Sequence, residues 1–310
     1  MQRIMSNDTC LFLSLNEVRT LGIIRSSVAL ISALSCLGAI VLVLLLARKQ
    51  WGLFKFTKRL SLYLTILALL YSVATTFQWV SSSAIDEQPG GEQGCKAVAF
   101  FVQYLSWSLL VFTFLLTLIL FITVYKRKEL HFTRWEIGTL LASILSPLIT
   151  VWIPFINDSY GLSGIWCWIR SHDSTNCTVF LPGVIEQIAL WYAPLSILMI
   201  ASSVLMFMTI GKYIYSVFKS CGYQKIDTDS LLYQNSFKDY SPLVVYPIVF
   251  FSLNVIALSS RIASTQYVFP KGLLYIHSIV DPCWGLIASI ATIIYSMKFR
   301  NMGSKSGTLQ

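Results

Sequence analysis

Seven long windows of the chain contain no Asp, Glu, Lys or Arg: they lie between Arg25/Arg48, Arg59/Asp86, Lys96/Lys126, Glu136/Asp158, Glu186/Lys212, Asp239/Arg261 and Lys271/Lys298. Only the last is interrupted, by Asp281. A bilayer's hydrocarbon core is about 30 Å thick and takes about 20 apolar residues of helix to cross. Each window is long enough. Inside that core the backbone finds no water to bond, so a spanning segment is a helix or part of a closed barrel. Runs such as Val28 to Leu46 show none of the apolar-polar alternation of a barrel strand. The expected fold is an all-α membrane protein, a seven-transmembrane helix bundle over residues 23–300, with spans at about 26–47, 60–83, 96–125, 136–156, 186–212, 240–261 and 272–297. Charged residues make up 12% of the chain, about half the usual share in soluble domains.

With seven spans the connecting segments alternate between two sides, and the basic residues sort unequally. Sixteen of the 23 Lys+Arg fall on one side, among them Arg59, Lys126, Arg127, Lys128, Lys212 and Lys238. An excess of basic residues marks the cytoplasmic face. The N-terminal segment 1–22 is therefore expected outside and the tail 301–310 inside. The sequons at Asn7, Asn157 and Asn176 all fall on the outer side and are candidate glycosylation sites. The net charge of +9 then fits an inner leaflet of anionic lipid, which makes the lipid bilayer a partner and leaves nucleic acid out. Residues 1–22 lack the continuous apolar stretch of a cleavable leader, so the first span is expected to act as the insertion signal.

Four cysteines, Cys10, Cys95, Cys167 and Cys177, fall in the oxidising outer compartment. A bridge from Cys95, at the outer start of the third span, to Cys167, within the long loop after the fourth, would fix that loop over the mouth of the bundle. A second bridge between Cys10 and Cys177 is left open. Trp166 and Trp168 flank Cys167, and two readings stand for them: a lid over the mouth, or a pair at headgroup depth.

The segment Tyr160-Gly-Leu-Ser-Gly164-Ile-Trp-Cys-Trp-Ile169, with Tyr246-Pro247-Ile-Val-Phe in the sixth span and Pro282-Cys-Trp-Gly285 followed by Ile293-Ile-Tyr295 in the seventh, resembles the cyclic-AMP-receptor-like group of seven-transmembrane G-protein-coupled receptors. The chain departs from the rhodopsin-like class: Thr123-Val-Tyr125-Lys126-Arg127-Lys128 stands where an acidic residue, Arg and Tyr would end the third span. Asp281-Pro282-Cys283-Trp284-Gly285 stands where Asn-Pro-x-x-Tyr would be. The resemblance implies a receptor at the plasma membrane that passes an extracellular ligand signal to a cytoplasmic heterotrimeric G protein. Arg59, Lys126, Arg127, Lys128, Lys212 and Lys238 would rim the cleft that a G-protein helix enters.

The first three spans contain no proline, while the later ones carry Pro147 and Pro154, Pro194, Pro242 and Pro247, and Pro282. Each removes a backbone hydrogen bond, so spans five to seven are expected to rearrange, with Pro247 as the hinge. Polar groups inside a span are costly and mark function. Asp281 is the one carboxylate well inside, and a ligand amine, His277 and Arg261 are candidate partners that the sequence does not rank. Phe100, Gln103, Tyr104 and Trp107 recur at helical spacing on the third span. With Gln78, Trp79, Trp168, Trp191, Asn254 and His277 they form the expected ligand pocket, aromatic with a few polar points.

Other classes fit less well. A three-plus-one-plus-three small-solute transporter would carry matching features in both halves, and the prolines are strongly unequal. A retinal protein needs a lysine within the seventh span, and Lys271 and Lys298 only flank it. No HExxH or GxSxG is present, and three histidines make a metal site or enzyme poorly supported, so no cofactor is expected. A receptor fold that does not couple remains the nearest rival.

Overall fold

The computed structural model describes residues 14–48, 56–83, 91–126, 132–163, 166–173, 178–222, 241–265 and 271–306. Arg127, Lys128, Lys238, Asn7, Asn176, Cys10 and Cys177 lie outside them, and so does the proposed Cys10–Cys177 bridge. Among the described residues, six helical segments are long and apolar enough to cross a membrane, and Val245–Ser260 is a shorter apolar helix between the last two. The chain is an all-α, multi-pass membrane protein.

The first three spans are continuous helices: α1 (Leu15–Arg48), α2 (Phe56–Ser83) and α3 (Gly91–Lys126). They start before the charge-free windows because a charged residue is tolerated in a helix turn that projects beyond the hydrocarbon. Residues 15–22, expected in the N-terminal segment, thus form the start of α1. That helix begins with a capping box in which the Ser14 backbone amide donates to Glu17 at 2.8 Å and the Glu17 amide donates to Ser14 Oγ at 3.3 Å.

Packing in α1 inverts the soluble pattern. Ala29, Ser32, Ala33, Cys36 and Ala39 are buried, whereas Leu30, Ile31, Leu34 and Leu37 are exposed. Lipid is as apolar as leucine, so small residues go inward where helices approach closely and large ones face the acyl chains. The buried stripe packs on α2 and on the seventh span. Helix α3 is the most enclosed of the spans and touches the second, fourth, fifth and sixth.

The later spans are broken, and proline accounts for where. The expected span 136–156 is α4 (Phe132–Leu148), a turn, and the short α5 (Ile153–Ile156). Pro147 brings no N–H to the ladder, and after it the Ile149 amide bonds Ser146 O while the Thr150 and Val151 amides share Pro147 O. The fifth span runs from α6 (Leu181–Gln187) through a π-helical turn, Ile188–Tyr192, into α7 (Ala193–Gly222), with Pro194 just past the turn. The sixth opens with a 3-10 turn, Ser241–Val244, and continues as α8 (Val245–Thr265). Pro247 is buried in the first turn of α8, where its missing donor costs least, so it stands at one end of that span rather than in its middle. The seventh is α9 (Lys271–Val280), a 3-10 turn at Asp281–Cys283 around Pro282, and α10 (Trp284–Ser306). Helix α10 therefore carries residues 301–306 of the expected tail.

Between α5 and α6 the chain forms an antiparallel hairpin, β1 (Tyr160–Ser163) and β2 (Trp166–Ile169), in the register Tyr160↔Ile169, Gly161↔Trp168, Leu162↔Cys167 and Ser163↔Trp166. Every residue of β2 is buried. Cys167 is bonded to Cys95 in the first turns of α3, with the two Cα atoms 5.2 Å apart.

Candidate ligand-binding site beneath the hairpin

The hairpin closes one end of the bundle, and the space beneath it is built from all its neighbours. An empty volume of about 570 Å³ is lined by Arg25, Tyr71, Gln78, Gln103, Trp166 and His277, among others. It adjoins a second of about 430 Å³, lined by Leu109, Phe250, Leu253 and Trp284. Tyr71, Ser106, Trp191, Asn254 and Asp281 border both.

Arg25 of α1 organises the polar wall. Its Nη2 donates to Asp281 Oδ2 at 2.5 Å and its Nε to Gln78 Oε1 at 3.1 Å, while the Trp166 ring centre stands 4.9 Å from the guanidinium carbon. The side chain is only 8% exposed. A charge so far out of water needs both a counter-ion and hydrogen bonds, and Asp281 and Gln78 supply them. The Tyr71 hydroxyl reaches both Asp281 oxygens, at 3.0 and 2.9 Å. The partner of Asp281 is therefore Arg25, which as a window boundary drew no attention in the sequence. His277 lines the same cavity, but its Nδ1 faces Ser260 Oγ at 3.3 Å. The side chain of Arg261 is outside the described ones.

The hairpin is tied to this wall at several points. Gln78 Nε2 donates to the Cys167 carbonyl at 2.7 Å, Trp168 Nε1 donates to Gln103 Oε1, and Gln187 Nε2 donates to the Ile169 carbonyl at 2.6 Å. Trp166 and Trp168 are buried, so they roof the cavity rather than float at headgroup depth. The Trp166 ring meets His277 edge-on at 5.2 Å, and Trp168 meets Trp191 at 6.3 Å and Tyr192 at 6.0 Å.

The four expected pocket residues of α3 divide. Gln103 lines the cavity, and Trp107 stands one step behind it, bonding the Leu190 carbonyl at 3.0 Å and packing on Trp191 at 5.7 Å. Phe100 and Tyr104 turn the other way: Phe100 packs on Trp152 and Phe155, and Tyr104 donates to the Ile144 carbonyl at 3.1 Å. At 3.6 residues per turn these four positions spread over about 100° of the helix. A helix enclosed on all sides shows different neighbours across such an arc. Trp79 packs beside Gly22 of α1 instead of lining the cavity, and Asn254 lines it while its Nδ2 bonds the Phe250 carbonyl at 2.8 Å.

At the opposite end the expected rim is only partly described. Arg59 is held by Glu136, with Nε and Nη2 at 2.8–3.1 Å from its oxygens, and Tyr63 donates to the same carboxylate at 2.8 Å. Lys212 Nζ lies 5.7 Å from the centre of the Tyr125 ring, and Lys126 ends α3. Towards this end a buried cluster of hydroxyls joins three spans. Thr292 of α10 is 2.8 Å from Ser61 and Thr65 of α2 and from Tyr246 of α8, Tyr246 also meets Ser61, and Thr57 meets Tyr295.

Arg25 and Tyr71 are the polar partners of Asp281 that the sequence reading passed over, along with Ser106 and several apolar lining residues such as Leu109, Phe250 and Trp284. A signal existed for Arg25 and Tyr71. Leu21, Arg25, Ala29, Ser32 and Cys36 recur at three and four residues on the buried stripe of α1, and Tyr71 shares a buried face with Ala68, Thr75 and Gln78 on α2.

A bundle of apolar helices, closed at one end by a disulfide-anchored hairpin over a polar and aromatic cavity, is the architecture of a multi-pass membrane receptor. The chain belongs to the slime mold cyclic AMP receptor family, whose profile matches residues 17–308. Over 213 residues, 68% of this chain, it is 28% identical to cyclic AMP receptor 1 of Dictyostelium discoideum. That match covers 49% of the relative, so the chain spans about half the length of the curated protein it matches. The family consists of receptors, not enzymes.

Proposed function

We propose that the protein is a plasma-membrane receptor that binds an extracellular small molecule beneath the hairpin and signals to a heterotrimeric G protein at the opposite end. The side assignment follows from the basic residues and the sequons, which put the hairpin outside. Cyclic AMP, which names the relative, is the first ligand to test.

One observation carries the reading. Two of the residues bordering both cavities, Trp191 and Asp281, belong to the π-turn of the fifth span and the 3-10 turn of the seventh. A ligand touching them touches the segments whose hydrogen-bond ladders are already interrupted. Such turns are where a helix changes direction for least energy. A ligand shifts the balance between two arrangements by its difference in affinity for them. Movement of spans five to seven, Pro247 included, would part the Tyr246–Thr292–Ser61 cluster and open a groove for a G-protein helix.

The test is guanine-nucleotide exchange by a panel of purified heterotrimers in membranes carrying the full chain, with and without cyclic AMP. Stimulation of at least one heterotrimer is expected. A correctly inserted chain that stimulates none of them, in either condition, would instead be a receptor fold that does not couple.

A further inference from the structure

We propose that Asp281 stands in for the acidic group of the ligand: an incoming oxyanion takes Arg25 from Asp281 and so releases the seventh span at its break. This rests on the receptor reading and adds to it the residue that answers the ligand's acidic group and the segment that its displacement releases.

The hydrogen bonding of Arg25 carries the proposal. A guanidinium holds five N–H donors in a rigid fork and pairs best with two oxygens side by side. Here Nε is used by Gln78 and Nη2 by Asp281, while Nη1 is buried and has no acceptor among the described residues. Asp281 does not complete the fork: only its Oδ2 meets the guanidinium, through Nη2, while the Tyr71 hydroxyl approaches both its oxygens. An internal ion pair with one buried donor left over is weaker than the bidentate pair an external acid would make. A phosphodiester or carboxylate in the cavity, offering two oxygens to Nη1 and Nη2, outcompetes it. Trp166 over the guanidinium and Trp168 edge-on to Trp191 provide flat apolar walls for a planar ring beside that acid.

The position of Asp281 gives the exchange a consequence. It is the first residue of the 3-10 turn that interrupts the seventh span, followed directly by Pro282. While Asp281 bonds Arg25 of α1 and Tyr71 of α2, the turn is fastened to two spans by its side chain. Ser32 fastens it again through the Pro282 carbonyl, at 2.6 Å. Removing Arg25 from Asp281 removes the only charged one of these ties.

Membranes carrying the full chain test this with two readouts: binding of tritiated cyclic AMP, with neutral adenosine as the ring-only control, and the rate at which a small thiol reagent labels Cys283. Cys283 is a half-buried free thiol in the same turn; Cys10, Cys177 and Cys221 are replaced by Ser in all variants. Asp281→Asn is expected to bind cyclic AMP about tenfold more tightly, in the usual range of coupling between sites, and to leave adenosine unchanged. Arg25→Lys, which keeps the charge and loses the fork, is expected to weaken cyclic AMP binding about tenfold. Cyclic AMP should speed Cys283 labelling in the unaltered chain, and Asp281→Asn should label fast without it. Equal or weaker cyclic AMP binding by Asp281→Asn, or unchanged Cys283 labelling, overturns the proposal. If the unaltered chain binds no cyclic AMP, that ligand assignment falls and inorganic phosphate replaces it as the probe. Faster Cys283 labelling with phosphate, absent in Arg25→Lys, then upholds the exchange, and no effect of phosphate refutes it.

Discussion

Arg25 and Asp281 stand 256 positions apart in the sequence and 2.5 Å apart in the fold, joining the first span to the break in the seventh. The arginine is buried and the aspartate half-buried, so each stabilises mainly by cancelling the cost of the other.

Removing both partners should therefore cost less than the two single losses added together. Arg25→Ala or Asp281→Ala is expected to destabilise the protein by about 3–5 kcal/mol, as is usual when a buried charge loses its counter-ion. The double variant should fall well short of the sum. Thermal unfolding of the detergent-solubilised protein measures all three; additive losses would mean that the pair is not coupled.

Of the three sequons, Asn157 is expected to carry no glycan. Its Nδ2 donates to the buried Glu186 at 2.6 Å, and Ser159, which completes the sequon, is fully buried under the hairpin. A sugar would take one of the two Nδ2 hydrogens and leave a single N–H for Glu186, so the bond would survive only with the sugar turned to the other side. Intact-mass analysis of Asn157→Gln should show only the mass of the substitution itself. A loss of glycan mass refutes the point.

Gly183 lets the chain leaving the hairpin approach α6 closely. A Cβ there would stand 1.9 Å from the backbone carbonyl oxygen of Arg170, which cannot rotate away as a side chain could. Gly183→Ala should cost about 1–3 kcal/mol, typical of overpacking. Thermal unfolding reads the loss, and ligand affinity should fall with it because the hairpin roofs the cavity.

Tyr246→Phe removes the hydroxyl that α8 shares with Ser61 and Thr292 while preserving the ring's packing. If closure of that end restrains signalling, ligand-free nucleotide exchange should rise severalfold, matching the loss of about 1 kcal/mol of hydrogen bonding. Thr292→Val should act in the same direction. Exchange at the unaltered level in both variants would show that the cluster serves packing alone.

The long apolar helices follow the charge-free windows because an unpaired charge is costly in hydrocarbon. The hairpin was foreshadowed only through Cys167 and its flanking tryptophans, since a short run such as Trp166–Ile169 carries no period of its own. The ligand face of α3 was read too broadly. Helical spacing grouped Phe100 and Tyr104 with Gln103 and Trp107, whereas α4 and α5 claim the first two. Arg25 was missed for a related reason: at the end of a window it looked like a boundary, and only the angular position of the buried stripe on α1 turns it inward.

The sequence by itself determined a membrane-embedded helical chain, because length and hydropathy act locally and the solvent enforces them span by span. Pro147, Pro194 and Pro282 marked three of the breaks, since a proline brings no donor to the ladder, whereas Pro247 stands in the first turn of a continuous helix. What the tertiary structure decided is which distant groups meet: Arg25 with Asp281, Gln78 with the hairpin backbone, and Tyr246 with Thr292. Those pairings depend on the order and rotation of packed helices, which arise from contacts between spans and leave no period in any one of them.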